Sequence, residues 1–520
     1  MARINTNIAS LVAQQNLGRA NNNLQVRLQR LATGLRINRG ADDPAGLIAA
    51  DRLRAELRGV EQGVKNSERA SNVIATTEAA LAEVSDLLSS IKALVVEAAN
   101  SGAFSPEEVE ANQLQIDSAI ESITRISNTA SFAGLKLLNG ELGYTLSGVD
   151  ASEILKVNVN NAAFGTRSNI PVDIEVISSA QQAMVFQRTD FSSNPPFAAG
   201  GADGVLTSTV TLEIAGPLGV QVLTFLSGQS VDEVVTAVNA ISDATGVRAG
   251  LVNDIAASGL RFNSIEYGSD AFVSITKLGN SGDFWGTSRL PNDAPESTLD
   301  WTNGSTYIAA QQDVGKDVAA LVNGALATGR GLELGIKTSE VTLELILAET
   351  FATTISGTPS SFNITGGGSL FQLGPRVNSS QQVSIGVQSV AASRIGGTVI
   401  TDPDTSVTEI QFLNSVKSGE LNSLASRNFQ NASMIIDSAI DEIASLRGRL
   451  GAFERNTIET NVRSLQAAIE NITAAESDIR DADFAVETSE LTRAQILASS
   501  STSILATANV QAQNVLQLLG

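Results

Sequence analysis

From Asp43 to Val95 the sequence carries one helical pattern without a clear stop, and no other feature constrains the fold of this chain as strongly. Asp43-Pro44 offers an N-cap followed by proline at the first helical position. Leu53, Leu57, Val60 and Val64 recur at helical spacing. After a small-residue stretch at Ser67 and Ser71, the pattern resumes with Ile74, Leu81, Val84, Leu88, Ile91 and Val95. Such a helix spans roughly 50 residues, or about 75 Å at ~1.5 Å per residue. No compact domain needs one that long, so a bundle or a coiled rod is expected.

The flanking segments extend the same theme. Leu17, Leu24, Leu28, Leu31 and Leu35 follow a helix seam, loosened at its end by Gly34 and Gly40. Ser105-Pro106-Glu107-Glu108 supplies a Ser cap, a first-position proline and the glutamate of a capping box. The helix after it shows Val109, Ile116, Ile120 and Ile123 on one face and stops around Gly134. At the other end, Ile436, Ile440 and Ile443 open a helix that passes Leu450. Ile458, Val462, Leu465, Ile469, Ile472 and Ile479 then form the most regular heptad in the sequence.

Beyond Arg493 no charged side chain remains before the terminal carboxylate. Ser499, Ser500, Ser501, Thr502, Ser503, Asn509, Gln511, Gln513 and Asn514 make this segment too polar for a membrane span. Leu497, Ile504, Ala508, Val515 and Leu519 instead form one helical stripe. An uncharged amphipathic end needs a partner helix, and the N-terminal heptad is the obvious one. Both ends are therefore expected to be interaction elements that order on assembly.

Between about Tyr144 and Val407 the period changes to two, as in Lys156-Val157-Asn158-Val159-Asn160, Val172-Asp173-Ile174-Glu175-Val176 and Val383-Ser384-Ile385-Gly386-Val387. Breakers crowd the gaps, among them Ser193-Asn194-Pro195-Pro196 and Gly366-Gly367-Gly368-Ser369, and both tryptophans, Trp285 and Trp301, fall in this region. The expected fold class is a mainly α core of long N- and C-terminal coiled-coil helices with a strand-rich (β/α+β) central insertion. With 520 residues the chain exceeds a single hydrophobic core. Three domains are expected: residues 1–44 with 481–520 as an inner coiled-coil domain, 45–170 with 375–480 as a helical rod with a small β part, and 171–374 as an outer strand-rich domain.

The chain has no Cys and no His. That excludes Ser-His-Asp and Cys-His nucleophiles, His- or Cys-ligated zinc and iron–sulfur clusters, so no catalytic, cofactor-binding or metal-binding residue is assigned. Glu476, Asp478, Asp481 and Asp483 lack the Gly turn and closing Glu of an EF-hand loop, and are expected on a solvated helix face. The net charge of −21 makes nucleic acid and anionic membranes poor partners. From Met1 to Ala41, however, the only charged side chains are Arg3, Arg19, Arg27, Arg30, Arg36 and Arg39. Ile4 to Leu17 is too interrupted by polar residues for a secretory signal, so export is expected to need no cleaved one.

The two ends resemble bacterial flagellin. The resemblance is carried by Ile4-Asn5-Thr6-Asn7, by Leu31-Ala32-Thr33-Gly34-Leu35-Arg36-Ile37-Asn38, and by Ala41-Asp42-Asp43-Pro44-Ala45-Gly46-Leu47. At the other end it is carried by Leu450-Gly451-Ala452-Phe453-Glu454-Arg455-Asn456, by the run from Ala475 to Ala485, and by Val515-Leu516-Gln517-Leu518-Leu519. In the middle, Thr209–Ala249 resembles a motif of flagellin and hook-associated outer domains, with Val238 where Ile is usual; that motif is placed at about 207–279.

The resemblance implies a structural subunit that self-polymerises into the flagellar filament for swimming motility. Its terminal helices would line the central channel, with the rod around them and the insertion outside. It also implies other copies of the chain, the flagellar export apparatus with an export chaperone, and the filament cap and hook-associated proteins as partners. An extracellular place in the flagellum follows, and O-glycosylation of outer Ser and Thr is a property of some members. The alternatives are a hook–filament junction protein, or a filament subunit whose outer domain is also an adhesin. In many flagellins an innate immune receptor reads the stretch that is Ser89 to Ala99 here. Leu94 matches that pattern, but Ser90 stands where Arg is usual, which argues against this partner.

On this reading the inner assembly seam falls on Leu24, Leu28, Leu31, Leu35, Leu497, Ile504, Val515 and Leu519. Rod packing falls on Leu57, Val60, Val64, Leu88, Leu94, Ile458, Val462, Leu465 and Ile469. Arg36, Arg39, Asp42 and Asp43 are candidates for capping and for polar contacts between subunits.

Overall fold

The computed structural model describes residues 6–100, 105–165, 167–188, 206, 209–252, 259–279, 286–291, 296–301, 303, 305–355, 357–401 and 408–517. Trp285, the Ser193–Pro196 breaker and Leu519 lie outside these residues. The chain divides into two compact units. One comprises Met1–Ser71, Phe371–Gln382 and Phe453–Gly520; the other comprises Asn72–Leu370 and Val383–Ala452.

Long helices open and close the chain: α1 (Ile8–Thr33), α2 (Pro44–Ala99) and α3 (Pro106–Thr129) precede the insertion. The insertion holds the short α4 (Val231–Asn239), α5 (Ser242–Thr245) and α6 (Glu349–Ala352), and α7 (Phe429–Phe453), α8 (Glu459–Arg480) and α9 (Phe484–Gln517) follow it. The expected long helix is α2, at 56 residues. Asp43 caps it, Oδ1 accepting the Gly46 N–H at 2.9 Å. The expected capping box opens α3: Ser105 Oγ accepts the Glu108 N–H at 3.3 Å and Glu108 Oε2 accepts the Ser105 N–H at 2.8 Å. These bonds satisfy donors that the first helical turn would otherwise leave open.

The C-terminal helical run differs from the continuous pattern expected. Between α7 and α8 the residues Glu454–Ile458 form a π-helical turn. Ile436, Ile443 and Leu450 are buried at seven-residue intervals, as are Ile458 and Leu465, but eight residues separate Leu450 from Ile458. A π turn closes i→i+5 bonds and takes up one extra residue. The eighth residue is absorbed in that turn.

The insertion is strand-rich, as expected, and is built around two apolar cores. In the first, a five-stranded sheet runs in the order Ala325–Leu326, Ala319–Val322, Ile170–Ser178, Ser360–Gly367, Tyr144–Ser147. It shares its core with a four-stranded sheet ordered Thr328–Arg330, Glu333–Lys337, Val341–Leu347, Ile154–Ala162. From Ile170 to Val176 burial alternates residue by residue, with Val172, Ile174 and Val176 inward. The second core joins another five-stranded sheet, a four-stranded sheet and α4 through Leu212, Ile214, Val234, Val238, Phe262 and Ile275. Ser230 and Glu233 form a capping box on α4.

Candidate assembly surface on the terminal helices

α1 and α9 lie antiparallel. Asn7 Nδ2 donates to the Ala508 carbonyl at 3.0 Å, and Ser10 Oγ bonds Asn509 Oδ1 at 2.8 Å. The opposite end of α1 meets the start of α9 through Arg27 and Glu487. The apolar side chains buried on these helices are small: Ala13 and Ala20 on α1, Ala494 and Ala508 on α9. Small residues let two helix backbones approach closely, and they leave the large apolar side chains on the outside.

Those side chains form an exposed apolar surface on the two helices. Ile8, Leu11 and Val12 stand together at the start of α1, and Leu497 and Ile504 share a face of α9 at heptad spacing. Leu28 is 48% exposed, Leu497 50% and Ile504 60%. Leu24, Leu31 and Leu35 are partly buried. Val515 lies on α9, whose bounds include it. Of the side chains assigned to the inner seam, Leu28, Leu497 and Ile504 thus keep about half of their surface open within the chain.

Glu487 is the polar anchor of the pair and was not among the residues singled out in the sequence. It is 5% exposed and accepts from Arg27 Nη1 at 2.9 Å through both carboxylate oxygens, and from Arg30 Nη1 at 3.1 Å. Burial alone would raise its carboxyl, but the hydrogen bonds and charges of Arg27 and Arg30 hold it below the usual range.

The segments leading out of α1 and into α9 are also joined. Leu35 and Asp481 form an antiparallel bridge. The Arg36 N–H donates to the Arg480 carbonyl at 2.7 Å, and the Ala482 N–H donates to the Gly34 carbonyl at 2.9 Å. Arg36 Nη2 donates to the Ile479 carbonyl at 2.5 Å. Asp42 Oδ2 accepts the N–H groups of Arg39 at 2.9 Å and Asn38 at 3.0 Å, and these bonds lower its carboxyl. Arg36, Asp42 and Asp43 thus have partners within the chain, and Arg39 stays exposed.

The acidic run differs from the expected solvated helix face. Glu476 accepts from Arg54 Nη2 at 2.7 Å. Asp481 ends α8 and accepts the Ser477 hydroxyl at 2.7 Å, while Asp483 Oδ1 caps α9 by accepting the Ala485 and Val486 N–H groups at 2.8 and 3.1 Å. Only Asp478 of the four remains an exposed helix residue. The reason is positional: the break between α8 and α9 falls inside the run, so its last two carboxylates serve helix ends.

Of the residues assigned to rod packing, Val60, Leu88, Ile458 and Leu465 are buried, and Leu57, Val64, Leu94, Val462 and Ile469 are partly buried. Leu88 and Leu94 belong to the unit that holds the insertion, and the other seven to the unit that holds both chain ends. In the latter, Gly63 gives room to the Leu373 carbonyl, which also accepts from Asn461 Nδ2 at 2.9 Å. Among the described residues no helix is long and apolar enough to cross a membrane.

Comparison with known proteins matches residues 4–142 to the bacterial flagellin N-terminal helical region and residues 434–519 to the bacterial flagellin C-terminal helical region. Over its whole length the chain is similar to flagellin of Salmonella choleraesuis (strain SC-B67), with 26% identity over 535 residues and 99% of each chain covered. It is similar to the same extent of coverage to B-type flagellin of Pseudomonas aeruginosa, with 28% identity over 528 residues. Flagellin A of Vibrio cholerae is 27% identical over 516 residues, again with 99% of each chain covered.

Proposed function

Because the chain belongs to the bacterial flagellin family, whose members are structural subunits of the flagellar filament, we propose that it polymerises through the exposed faces of α1 and α9. The observation that carries this reading is the division of labour on the two helices: alanines make the contact within the chain, and Leu28, Leu497 and Ile504 keep about half of their surface open. Fully burying such a side chain contributes ~1.5–3 kcal/mol, so half-exposed ones gain about half that against a neighbour. Several per copy, repeated along a polymer, make a sufficient driving force without cofactor or covalent chemistry.

The filament so formed would serve swimming motility, outside the cell, after export without a cleaved signal. Residues 1–44 with 481–520 would form its inner layer, 45–170 with 375–480 its rod, and 171–374 its outer surface. The export apparatus, an export chaperone, the filament cap and hook-associated proteins would be its partners on the way.

Seeded polymerisation tests the reading, with the full-length chain set against one lacking α1 and α9 and the product viewed by negative-stain electron microscopy. Long filaments are expected from the full-length chain alone. The Leu28→Ala, Leu31→Ala double variant should stay folded and fail to polymerise; normal filaments from it would overturn the assignment.

A further inference from the structure

The second four-stranded sheet of the insertion runs in the order Gln312–Val314, Phe272–Leu278, Val210–Gly216, Gly219–Phe225. Its last strand is an edge, with no strand beyond it among the described residues. It forms a hairpin with Val210–Gly216 across Pro217-Leu218, and Gly216 faces Gly219. In a two-residue hairpin the residues flanking the turn are a hydrogen-bonded pair. Gly219, Gln221, Leu223 and Phe225 therefore turn their N–H and C=O inward, and Val220, Val222 and Thr224 turn theirs out from the sheet.

The same three residues, flanked by Leu218 and Leu226, carry an exposed stripe: Leu218 is 50% exposed, Val220 55%, Val222 52% and Leu226 60%. Natural edges are usually blunted by a charge, a proline or a bulge. The strand Gly-Val-Gln-Val-Leu-Thr-Phe has no charge and no proline, and its register with Val210–Gly216 is regular throughout. In a chain of net charge −21, most contacts between two copies bring like charges together. This strip does not.

The strip is also complementary to itself. Antiparallel pairing centred on Val222 sets Val222 against Val222, Val220 against Thr224 and Leu218 against Leu226, and every outward N–H and C=O of the three central residues finds a partner. We propose that strand Gly219–Phe225 pairs in this way with the same strand of a second copy in a neighbouring filament, so that filaments associate side by side. The proposal rests on the reading of the chain as a filament subunit with its insertion outside. Self-pairing requires a two-fold axis, and copies within one polar filament are related by a screw, so the partner belongs to another filament. A strand of this length is about 24 Å long, and its contact falls well below the ~1,200 Å² of a stable interface. Free chains therefore pair weakly, whereas rows of copies along two filaments pair by multivalency.

The test compares filaments of the unaltered chain with those of Val222→Lys and Val222→Glu by low-speed sedimentation and electron microscopy. Unaltered filaments should pellet as bundles. Each variant alone should give single filaments of normal length, and mixing the two should restore bundles as the introduced ammonium of one variant meets the introduced carboxylate of the other across the pair. Equal bundling by Val222→Lys, or no gain on mixing, would overturn the proposal. Failure of the unaltered chain to polymerise would count against the filament reading alone. Pairing is then read on the free chain, which has no other thiol: Val222→Cys should form disulfide dimers under diamide at least tenfold faster than Leu226→Cys, and equal rates would overturn it.

Discussion

Arg27 Nη1 lies 2.9 Å from each carboxylate oxygen of Glu487, so an arginine on the first helix and a buried glutamate on the last fix the register of the two chain ends. Arg30 adds a third hydrogen bond to the same carboxylate, and Glu490 lies 4.0 Å from the other side of the Arg27 guanidinium. The register of α1 on α9 is thus set by charge, while their alanines set the distance.

Replacing Glu487 by Gln should cost about 1.5–3 kcal/mol at neutral pH, the scale of hydrogen bonds to charged groups. The folded carboxyl is held below its ordinary value of 4.5, so its stabilisation is fully present above that pH and is lost as pH falls through the lower folded value. The stability gap between the unaltered chain and Glu487→Gln should therefore be full at neutral pH and close on acidification below pH 4.5. Amide exchange across α1 and α9 as a function of pH checks it. A gap independent of pH would contradict the assignment.

Enlarging the alanine seam should harm the helix pair directly. Ala20 is 8% exposed against α9, and leucine is nearly as good a helix former as alanine, so Ala20→Leu acts through overpacking at about 1–3 kcal/mol. Leu28→Ala, at a half-exposed position, should cost the free chain about half of a full burial, roughly 1 kcal/mol, and no packing clash. Chemical denaturation of both unpolymerised variants separates the two roles.

Gly63 sits where an added Cβ would come 3.0 Å from the Leu373 carbonyl oxygen and 3.2 Å from Leu465 Cδ1. Gly63→Ala gains about 1 kcal/mol of helix propensity, yet it pushes on a backbone oxygen that cannot swing away. A net loss of about 1–2 kcal/mol is expected, read as a lower melting temperature. A higher one would show that the Phe371–Gln382 segment yields.

Ala133 holds a φ of 50° ahead of Gly134, in the turn that joins Ser131–Phe132 to Leu135–Lys136. A two-residue hairpin turn of this kind favours Asn-Gly, because alanine is strained at positive φ. Ala133 is exposed, so Ala133→Asn should stabilise by about 0.5–1 kcal/mol without disturbing a contact. Thermal unfolding decides the sign.

What could be read in advance was local. Asp43-Pro44 and Ser105-Pro106-Glu107-Glu108 mark helix starts because a cap needs only its own next three residues, and α2 is long because nothing in that stretch stops it. The strand Ile170–Ser178 was legible from its alternation, but its neighbours Ala319–Val322 and Ser360–Gly367 come from far along the chain, and nothing local encodes that choice. Glu487 escaped notice for the same reason: its arginine partner is 460 residues away. The heptad rule selects large apolar residues as the seam. Here Ala13, Ala20, Ala494 and Ala508 take that place, and an alanine in a helix carries no signature of what it touches. The eight-residue step from Leu450 to Ile458 stands in the sequence too, but an i, i+8 spacing also suits an ordinary amphipathic helix, so it does not mark the π turn by itself.

That surplus residue makes the π turn at Glu454–Ile458 a tolerant point for changes of length. Losing one codon between Gly451 and Thr457 would bring Leu450 and Ile458 to the spacing of their neighbours and convert the turn to ordinary α-helix. The same loss elsewhere in α7 or α8 would rotate everything beyond it by about 100° and carry the apolar row out of its groove. Single-residue deletions scanned through this helix should therefore be accepted at one site and refused on either side of it.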